Sequence, residues 1–340
     1  MIELKLQRSG RAGQNPLPGG EIKRGKNTGG FSVKALITGG AGFIGSHTVE
    51  RFLEEGWEVV VLDNLRTGRR DNISHIAEKI EFHTGSVEDR NLLGALMEGV
   101  DAVVHLAAVP SVVESFAYPL ETAEINVKGT LAVLEAARLE DVESVVFSSS
   151  SAVYGDGHPL PLKEDLTPRP LSNYAVTKVA GEHFMKVYSE IYGIKTVSLR
   201  YFNVYGPRQN PESEYAAVIP KFIGALLRGE APVIYGDGKQ TRDFIYVKDV
   251  AEVNYLSTIK DIPGGEVINV ASGKPKEIVE LLKVVEGVLG RALPPRYEPP
   301  RPGDIRHSLA SVEKMKRSLG FTPRYTLREG IEEMCSEMRG

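Results

Sequence analysis

Residues 38–45 constrain the fold of this chain more than any other segment. They read Thr-Gly-Gly-Ala-Gly-Phe-Ile-Gly and stand between an apolar run and a stretch whose apolar residues recur with helical spacing. Gly39, Gly42 and Gly45 suit a tight strand-to-helix turn, a close backbone approach to a bound group, and close packing of the helix on the strand. The N-terminus of such a helix attracts phosphate groups. The segment therefore predicts a strand, a turn and a helix that together hold the pyrophosphate of a dinucleotide.

Short apolar runs alternate with helical stretches from residue 33 to about residue 207. The runs lie at 34–38, 58–62, 80–83, 102–107, 144–148 and 196–201, and the helix-periodic segments between them include 44–53, 92–97 and 127–139. Continuously apolar strands that alternate with helices imply a parallel sheet covered on both faces. We therefore predict an α/β fold with a Rossmann-type doubly wound parallel sheet. Pro and Gly interrupt the pattern beyond residue 207, which predicts a smaller mixed α/β C-terminal substrate lobe.

A carboxylate follows the second apolar run and indicates which dinucleotide is bound. Asp63 lies 24 residues after Gly39, where its carboxylate can accept hydrogen bonds from a ribose diol and would repel a 2′-phosphate. This position favours NAD over NADP. Arg66, Arg69 and Arg70 lie close by and keep NADP open as the lesser alternative.

Ligands of open parallel sheets bind at the carboxyl ends of the strands, so further cofactor contacts are expected there. Small side chains after the fourth run, at 106–108, allow a close approach to the pyrophosphate and ribose. The remaining predicted cofactor residues are Phe43, Ile44, Asn64, Thr67, Gly68, Ser86, Val87, Leu106, Ala107, Ala108, Asn126, Ser148 and Tyr201.

Tyr174 and Lys178 predict acid–base chemistry. They stand at i and i+4 and so share one helix face. A free phenol has a pKa of about 10, and a neighbouring ammonium and a positive nicotinamide ring would both lower it. Ser150, at the end of the fifth apolar run, can hydrogen-bond the reacting hydroxyl. The structural alternatives are a surface Tyr–Lys pair and an ordinary polar strand end, but the combination favours redox chemistry on a hydroxyl.

Motifs along the chain resemble one family. Residues 33 to about 335 resemble an extended short-chain dehydrogenase/reductase of the nucleotide-sugar epimerase and dehydratase branch. The resemblance rests on the glycine turn, the Tyr-x-x-x-Lys pair, Arg-Tyr-Phe-Asn-Val-Tyr-Gly-Pro-Arg at 200–208, Gly-Asp-Gly at 236–238 with Thr-Arg-Asp-Phe at 241–244, and Arg-Pro-Gly-Asp at 301–304. Within that branch the chain is most similar to UDP-hexose 4-epimerases.

This resemblance implies roles for residues of the second lobe. Arg242 and Arg301 would clamp the UDP phosphates, since the arginine fork suits a diphosphate, and Asp304 would bind the uridine ribose. Ser308 would lie beside the C2 substituent of the sugar, where a small residue leaves room for an N-acetyl group. The other residues expected to contact substrate are Ser150, Ser151, Tyr174, Asn203, Ala217, Val218, Val233 and Tyr235.

The residues after Ser150 restrict the reaction. They are Ser151 and Ala152, whereas the related dehydratases carry an Asp-Glu pair there and the decarboxylating members carry a Glu. The resemblance therefore implies reversible C4 epimerisation of UDP-glucose and UDP-galactose, and of their N-acetyl counterparts. The alternatives are a UDP-glucuronate 4-epimerase or another nucleotide-sugar short-chain dehydrogenase, and a non-catalytic NAD-binding sensor.

Composition limits the partners and the location. The net charge of −4 argues against a nucleic acid, and the absence of a long apolar stretch argues against a membrane. The only cysteine, Cys335, excludes an intrachain disulfide and a cysteine-based metal site, which fits a cytoplasmic protein. The resemblance implies a homodimer formed through helices around 121–139 and 174–192.

Three segments are expected along the chain. Residues 1–32, rich in Gly, Arg, Lys, Asn and Pro, are interpreted as a disordered or non-native arm. Residues 33–206 are predicted to form mainly the NAD-binding Rossmann domain. Residues 207–340 are predicted to form mainly the UDP-sugar lobe, with the chain crossing back to the sheet.

Overall fold

The structure is a computed structural model that describes residues 32–210, 218–300 and 305–338. The arm predicted over 1–32 lies outside these ranges except for its last residue. So do three of the predicted substrate residues, Ala217, Arg301 and Asp304.

The first half of the chain alternates strands with helices, and shorter strands follow in the second half. The strands are β1 (Lys34–Thr38), β2 (Glu58–Asp63), β3 (Ile80–Thr84), β4 (Ala102–His105), β5 (Ser144–Ser150), β6 (Lys195–Tyr201), β7 (Asn203–Tyr205), β8 (Val233–Tyr235), β9 (Thr241–Tyr246), β10 (Glu266–Val270), β11 (Pro275–Glu277) and β12 (Arg296–Glu298). The helices are α1 (Phe43–Glu54), α2 (Arg90–Met97), α3 (Val112–Ala117), α4 (Pro119–Ala123), α5 (Gly129–Leu139), α6 (Asn173–Tyr192), α7 (Val218–Arg228), α8 (Val247–Ile259), α9 (Ile278–Leu289), α10 (Glu313–Leu319) and α11 (Leu327–Glu337).

Irregular helical segments complete the chain between these elements. Turns of 3-10 helix cover Arg70–Lys79 and Ser151–Tyr154, and a π-helical segment covers Glu124–Lys128 just before α5. Within the described ranges, none of the helices has both the length and the apolar character needed to cross a membrane.

Seven parallel strands form the main sheet, in the order β3-β2-β1-β4-β5-β6-β10. The chain moves outward from β1 on one side and from β4 on the other, so the strand order reverses between these two neighbours. Ligands bind in the crevice at such a switch point in doubly wound sheets. The predicted α/β, Rossmann-type fold is confirmed.

Helices cover both faces of the sheet because consecutive strand residues point to opposite sides. Ala35 and Ile37 of β1 pack into a core with α1, α8 and α10, whereas Leu36 packs into a separate core with α2, α5 and α6. Both faces of each central strand are thereby buried. This explains why the strands read as continuous apolar runs and not as an alternating pattern.

The fourth predicted strand is two residues too long. β4 ends at His105, although the apolar run continues to Ala107. His105 pairs with Thr38, the last residue of β1, and Gly39 then turns away with a φ of +73°. Leu106 and Ala107 leave the sheet at this turn and donate their amide N–H groups to Thr38, at 3.1 Å to its O and 3.3 Å to its Oγ1. The small residues at 106–108 therefore form the turn after the strand.

The second half of the chain builds a smaller unit and also completes the sheet. A three-stranded sheet (β11-β9-β7) and a two-stranded sheet (β12-β8) pack with α7, α9 and α11 around a third apolar core. In contrast, β10 pairs with β6 in the main sheet and α8 packs on α1. The division into domains at residue 206 stays a prediction.

Candidate active site

The glycine turn between β1 and α1 has no room for side chains. A Cβ on Gly39 would lie 2.8 Å from the amide nitrogen of Ala107, and a Cβ on Gly45 would lie 2.0 Å from the carbonyl oxygen of Gly39. Gly42 caps the N-terminus of α1. The turn therefore presents bare backbone and the amides of the first helical turn to the crevice between β1 and β4, which suits a pyrophosphate.

Asp63 lies at the end of β2, on the edge of the same crevice. It is buried, and its carboxylate accepts hydrogen bonds from the amides of Ala41 (3.0 Å) and Leu65 (2.8 Å). Burial raises the pKa of this carboxyl, and the two backbone hydrogen bonds oppose the rise. Each oxygen has lone pairs left for a ribose diol.

The three arginines near Asp63 do not act as a group. Arg66 donates to Glu114 (2.6 Å) and Glu121 (2.5 Å) on the opposite side of the crevice. Arg70 donates to Thr84 and lies over the ring of Phe82. Two of the three cations that kept NADP open are therefore engaged elsewhere, which supports NAD.

A cavity of about 930 Å³ opens at the carboxyl ends of the strands. Cavities that hold cofactors are commonly about 300–1,000 Å³. It brings together most of the predicted cofactor residues, which come from seven separate segments: Gly39, Gly42, Phe43, Ile44, Gly45, Asp63, Asn64, Thr67, Gly68, Ser86, Val87, Leu106, Ala107, Ala108, Ser148, Tyr174, Lys178 and Tyr201.

Asn126 is the exception among the predicted cofactor residues. It is buried in the π-helical segment before α5 and does not line the cavity. Its side chain accepts from the amide of Val109 (2.7 Å) and donates to the carbonyl of Val109 and to Thr177 (3.1 Å each). These hydrogen bonds use the amide to fix the backbone at Val109, which does line the cavity. The predicted direct contact is therefore replaced by a supporting one.

One wall of the cavity was missed by sequence analysis. It consists of residues 206–210 with Met334, Glu337 and Met338 at the end of the chain. Arg208 in this wall pairs with Glu50 of α1 at 2.5 Å. Arg208 belongs to the motif at 200–208, so that motif could have identified this residue of the wall. The contribution of α11 depends on packing over nearly 300 residues and leaves no local signal.

Tyr174 and Lys178 stand at the start of α6, on the side that faces β5. Ser172 caps this helix by accepting from the amide of Ala175 (3.1 Å). Tyr174 is hydrogen-bonded with Ser150. Lys178 is 3% exposed, donates to the carbonyl of Ser148 at 2.8 Å, and has its Nζ 5.7 Å from the centre of the Tyr174 ring. The predicted catalytic residues therefore meet at one end of the cavity.

The acidities of these two groups differ from the prediction. Burial raises the pKa of Tyr174, and the hydrogen bond with Ser150 opposes this rise only in part. Burial lowers the pKa of Lys178 to about 7. The protein's own groups thus do not acidify the phenol as predicted, because desolvation of Tyr174 outweighs its hydrogen bond with Ser150. The prediction also named the positive nicotinamide ring, and that second cation would come with the cofactor.

The serines after β5 have different positions. Ser148, Ser149 and Ser150 line the cavity. Ser151 begins the 3-10 segment and is not among the lining residues, so the structure does not support its predicted substrate contact. The chain turns at Ser150, whose Oγ accepts a hydrogen bond from the amide of Ala152 at 3.2 Å.

A second cavity, of about 250 Å³, lies between α7 and the short strands of the smaller unit. It brings together five of the predicted substrate residues, which are Asn203, Val218, Val233, Tyr235 and Arg242. Consecutive residues of the chain line the two cavities, since Tyr201 and Phe202 line the first and Asn203 and Val204 line the second. The two cavities therefore lie next to each other.

Ser308 lies near this second cavity without lining it. Its amide donates to the carbonyl of Thr241 at 3.1 Å, and the same carbonyl accepts from Arg242 at 2.8 Å. Ser308 and Arg242 thus donate to the same carbonyl, which places Ser308 near the arginine that lines the cavity.

Comparison with known proteins identifies the family to which this chain belongs. The family model for NAD-dependent epimerases and dehydratases matches residues 35–271. The chain belongs to this family. Its cofactor is accordingly NAD.

Members of the NAD-dependent epimerase/dehydratase family resemble the chain over most of its length. A putative UDP-glucose 4-epimerase of Methanocaldococcus jannaschii is 40% identical over 89% of this chain and 98% of its own. The UDP-N-acetylglucosamine 4-epimerase of Methanobrevibacter ruminantium M1, solved in complex with UDP-N-acetylmuramic acid, is 41% identical over 91% and 98% of the two chains, with a TM-score of 0.87. The UDP-glucose 4-epimerase of Thermotoga maritima, solved with UDP-glucose, is 36% identical over 90% and 99%, with a TM-score of 0.86.

Proposed function

We propose that this protein catalyses the reversible C4 epimerisation of UDP-hexoses through transient NAD-dependent oxidation to a 4-keto sugar. The observation that carries the proposal is the position of Tyr174 and Ser150 at one end of the cofactor cavity, with the second cavity next to it along residues 201–204. The relatives named as UDP-sugar 4-epimerases support a UDP-sugar as the ligand of that second cavity.

Tyr174 is the base in this proposal. As a phenolate it removes the proton of the C4 hydroxyl, and Ser150, hydrogen-bonded to it, aligns the two oxygens. Lys178 keeps positive charge close to the phenolate. When bound, NAD supplies the nicotinamide that takes up hydride from C4 and returns it. Because the cofactor ends each cycle oxidised, no second substrate is needed.

The charges around the site favour epimerisation over elimination or decarboxylation. Of the described residues that line the first cavity, the carboxylates are Asp63 and Glu337, and neither stands directly after Ser150 in the sequence. Ser151 and Ala152, which do follow it, carry no acid or base. The UDP is gripped by arginine, in our proposal Arg242 together with Arg301, whereas the sugar is held loosely. Loose holding lets the 4-keto sugar turn and accept hydride on its other face.

Ser308 is proposed to admit an N-acetyl group at C2, so that both plain and acetylated UDP-hexoses are substrates. The test gives purified protein UDP-glucose and UDP-N-acetylglucosamine separately, with products resolved by proton NMR. We expect the C4 epimer from each. Ser308→Tyr should lose at least about 10-fold in kcat/KM for the acetylated sugar only, on the scale of a filled pocket, and the matched variant Ser308→Ala should keep both activities.

Equal losses on both sugars in Ser308→Tyr would show that Ser308 does not face C2. Activity on UDP-glucuronate alone would replace the proposal with the glucuronate alternative, which requires a basic group beside C6.

We also propose a homodimer and a cytoplasmic location. Large apolar side chains are exposed on α5 and α6, the two helices predicted for the contact: Leu131, Leu139, Val176, Val187 and Ile191. The single cysteine, which leaves no intrachain disulfide, fits a reducing compartment. Light scattering should give twice the chain mass of 37.2 kDa, and a mass near 37.2 kDa at micromolar concentration would reject the dimer.

A further inference from the structure

A buried carboxylate on the catalytic helix has no place in the mechanism so far. Glu182 follows Lys178 by four residues and Tyr174 by eight, so all three side chains lie on one face of α6. Glu182 is 8% exposed and forms a bidentate ion pair with Arg200 of β6, at 2.8 Å for both hydrogen bonds. A buried ion pair is costly to desolvate and is weak evidence for stability alone.

Three consecutive serines of β5 contact these three residues of α6. Ser150 is hydrogen-bonded with Tyr174, the carbonyl of Ser148 accepts from Lys178, and Ser149 donates to Glu182 at 2.5 Å. The helix lies close against the strand, since a Cβ on Gly181 would be 2.4 Å from the ring of Phe147. The contacts of these three serines therefore fix the position of α6 along β5.

Arg200 extends this arrangement to the segment that follows Ser150. Its guanidinium lies 4.6 Å from the centre of the Tyr154 ring, at the end of the 3-10 turn that begins at Ser151. The hydroxyl of Tyr154 donates to Asn269 of β10 at 2.6 Å. The ion pair thus contacts the helix that carries Tyr174 and the turn that follows Ser150, the two partners of the catalytic hydrogen bond.

We propose that Glu182 and Arg200 are positioning residues that hold Tyr174 against Ser150. They touch neither cavity, and they act through the placement of α6 on β5. A misplacement of about 1 Å at a reacting group can cost on the order of 100-fold in rate. The proposal rests on the proposed function, because Tyr174 is assigned its role there.

The test removes the pair without leaving a charge buried alone. The double variant Glu182→Leu/Arg200→Met should fold and retain NAD, because apolar residues of similar volume can replace a buried ion pair. We expect its kcat to fall roughly 10- to 100-fold, with the KM for the UDP-sugar unchanged. We also expect the acid limb of kcat against pH to move to higher pH, since Ser150 stabilises the phenolate less well.

A second readout does not depend on turnover. The tyrosinate absorbance of Tyr174, taken as the difference from Tyr174→Phe, should titrate at higher pH in the double variant than in the parent protein. The matched control is Arg51→Met/Glu252→Leu, which removes another largely buried ion pair, between α1 and α8. It should change thermal stability and leave kcat and both pH profiles as they were.

Wild-type kcat and pH profiles in the Glu182/Arg200 double variant would overturn the proposal and leave the pair a purely structural one. If that variant does not fold, Ser149→Ala removes only the hydroxyl that Glu182 accepts from. It should still lower kcat several-fold at an unchanged thermal midpoint, and an unchanged kcat would then overturn the proposal. Inactivity of the wild-type protein on every UDP-hexose would instead contradict the proposed function.

Discussion

The two cavities differ in how the chain builds them. The first is formed by the ends of neighbouring parallel strands and by one glycine turn of eight residues. The second is formed by α7 and by short strands brought together from separate parts of the chain, such as β7 with β9. Apart from the wall at 206–210 and 334–338, the first is therefore specified by local motifs, whereas the second depends on long-range pairing. Variants that separate NAD retention from the KM for UDP-sugar can test whether the two sites are as distinct as their construction suggests.

The largest effect is expected from Gly45→Ala. Its Cβ would lie 2.0 Å from the carbonyl oxygen of Gly39, a backbone atom that cannot move without opening the turn. We expect loss of bound NAD and a destabilisation of about 1–3 kcal/mol or more, measured by cofactor content after gel filtration and by urea unfolding. Gly94→Ala, in helix α2 with open space around the new Cβ, should be neutral or slightly stabilising.

Tyr174→Phe should remove the proposed base and leave both binding sites intact. We expect turnover to fall by about 2–4 orders of magnitude, with NAD content and UDP-sugar affinity close to those of the parent protein. Tyr192→Phe, near the exposed end of the same helix, is the control and should keep full activity. Near-normal turnover in Tyr174→Phe would show that another group is the base.

Lys178 should make stability depend on pH. Burial lowers its pKa to about 7, so from pH 7 to about 10 the unfolded chain binds more protons than the folded protein. Its contribution to the unfolding free energy is flat below pH 7 and rises with pH through that window, by at most about 1.4 kcal/mol per unit. Urea unfolding of cofactor-free wild type and Lys178→Met should diverge accordingly. Lys186→Met, which alters an exposed lysine of α6, should show no such trend.

The smallest effect is expected from Arg66→Gln. Arg66 joins the loop after β2 to Glu114 of α3 and Glu121 of α4, across the crevice proposed to hold NAD. Exposed pairs contribute about 0.2–1 kcal/mol each, so NAD should dissociate only a few-fold faster, and less so at high salt. Lys128→Gln, a change in the π-helical segment next to these helices, is the control. An unchanged dissociation rate in Arg66→Gln would mean that the pairs do not restrain the cofactor.

Local chemistry explains what sequence analysis predicted well. The glycine turn, Asp63 and the Tyr174–Lys178 pair are each defined within a few residues, and each lies where the alternation of strands and helices placed it. Strand bounds were correct to within two residues because a buried strand is apolar along its whole length. The predicted end of β4 was wrong because the strand ends where it pairs with Thr38 of β1, more than 60 residues away.

Long-range packing explains what sequence analysis could not give. Asn126 is predicted to contact the cofactor, but Val109 and Thr177 use its hydrogen-bonding groups in the fold. The direction of the Tyr174 pKa could not be predicted without its burial. The wall at 206–210 and the roles of Glu182 and Arg200 depend on which helix packs on which strand.

One measurement tests the central claim most directly. UDP-glucose carrying deuterium at C4 is given to purified protein without added NAD, and the product is examined by proton NMR. C4 epimerisation by bound NAD predicts UDP-galactose that retains the deuterium at C4, because the same hydrogen leaves and returns. UDP-galactose with a solvent proton at C4, or no epimer at all even with added NAD, would contradict the account.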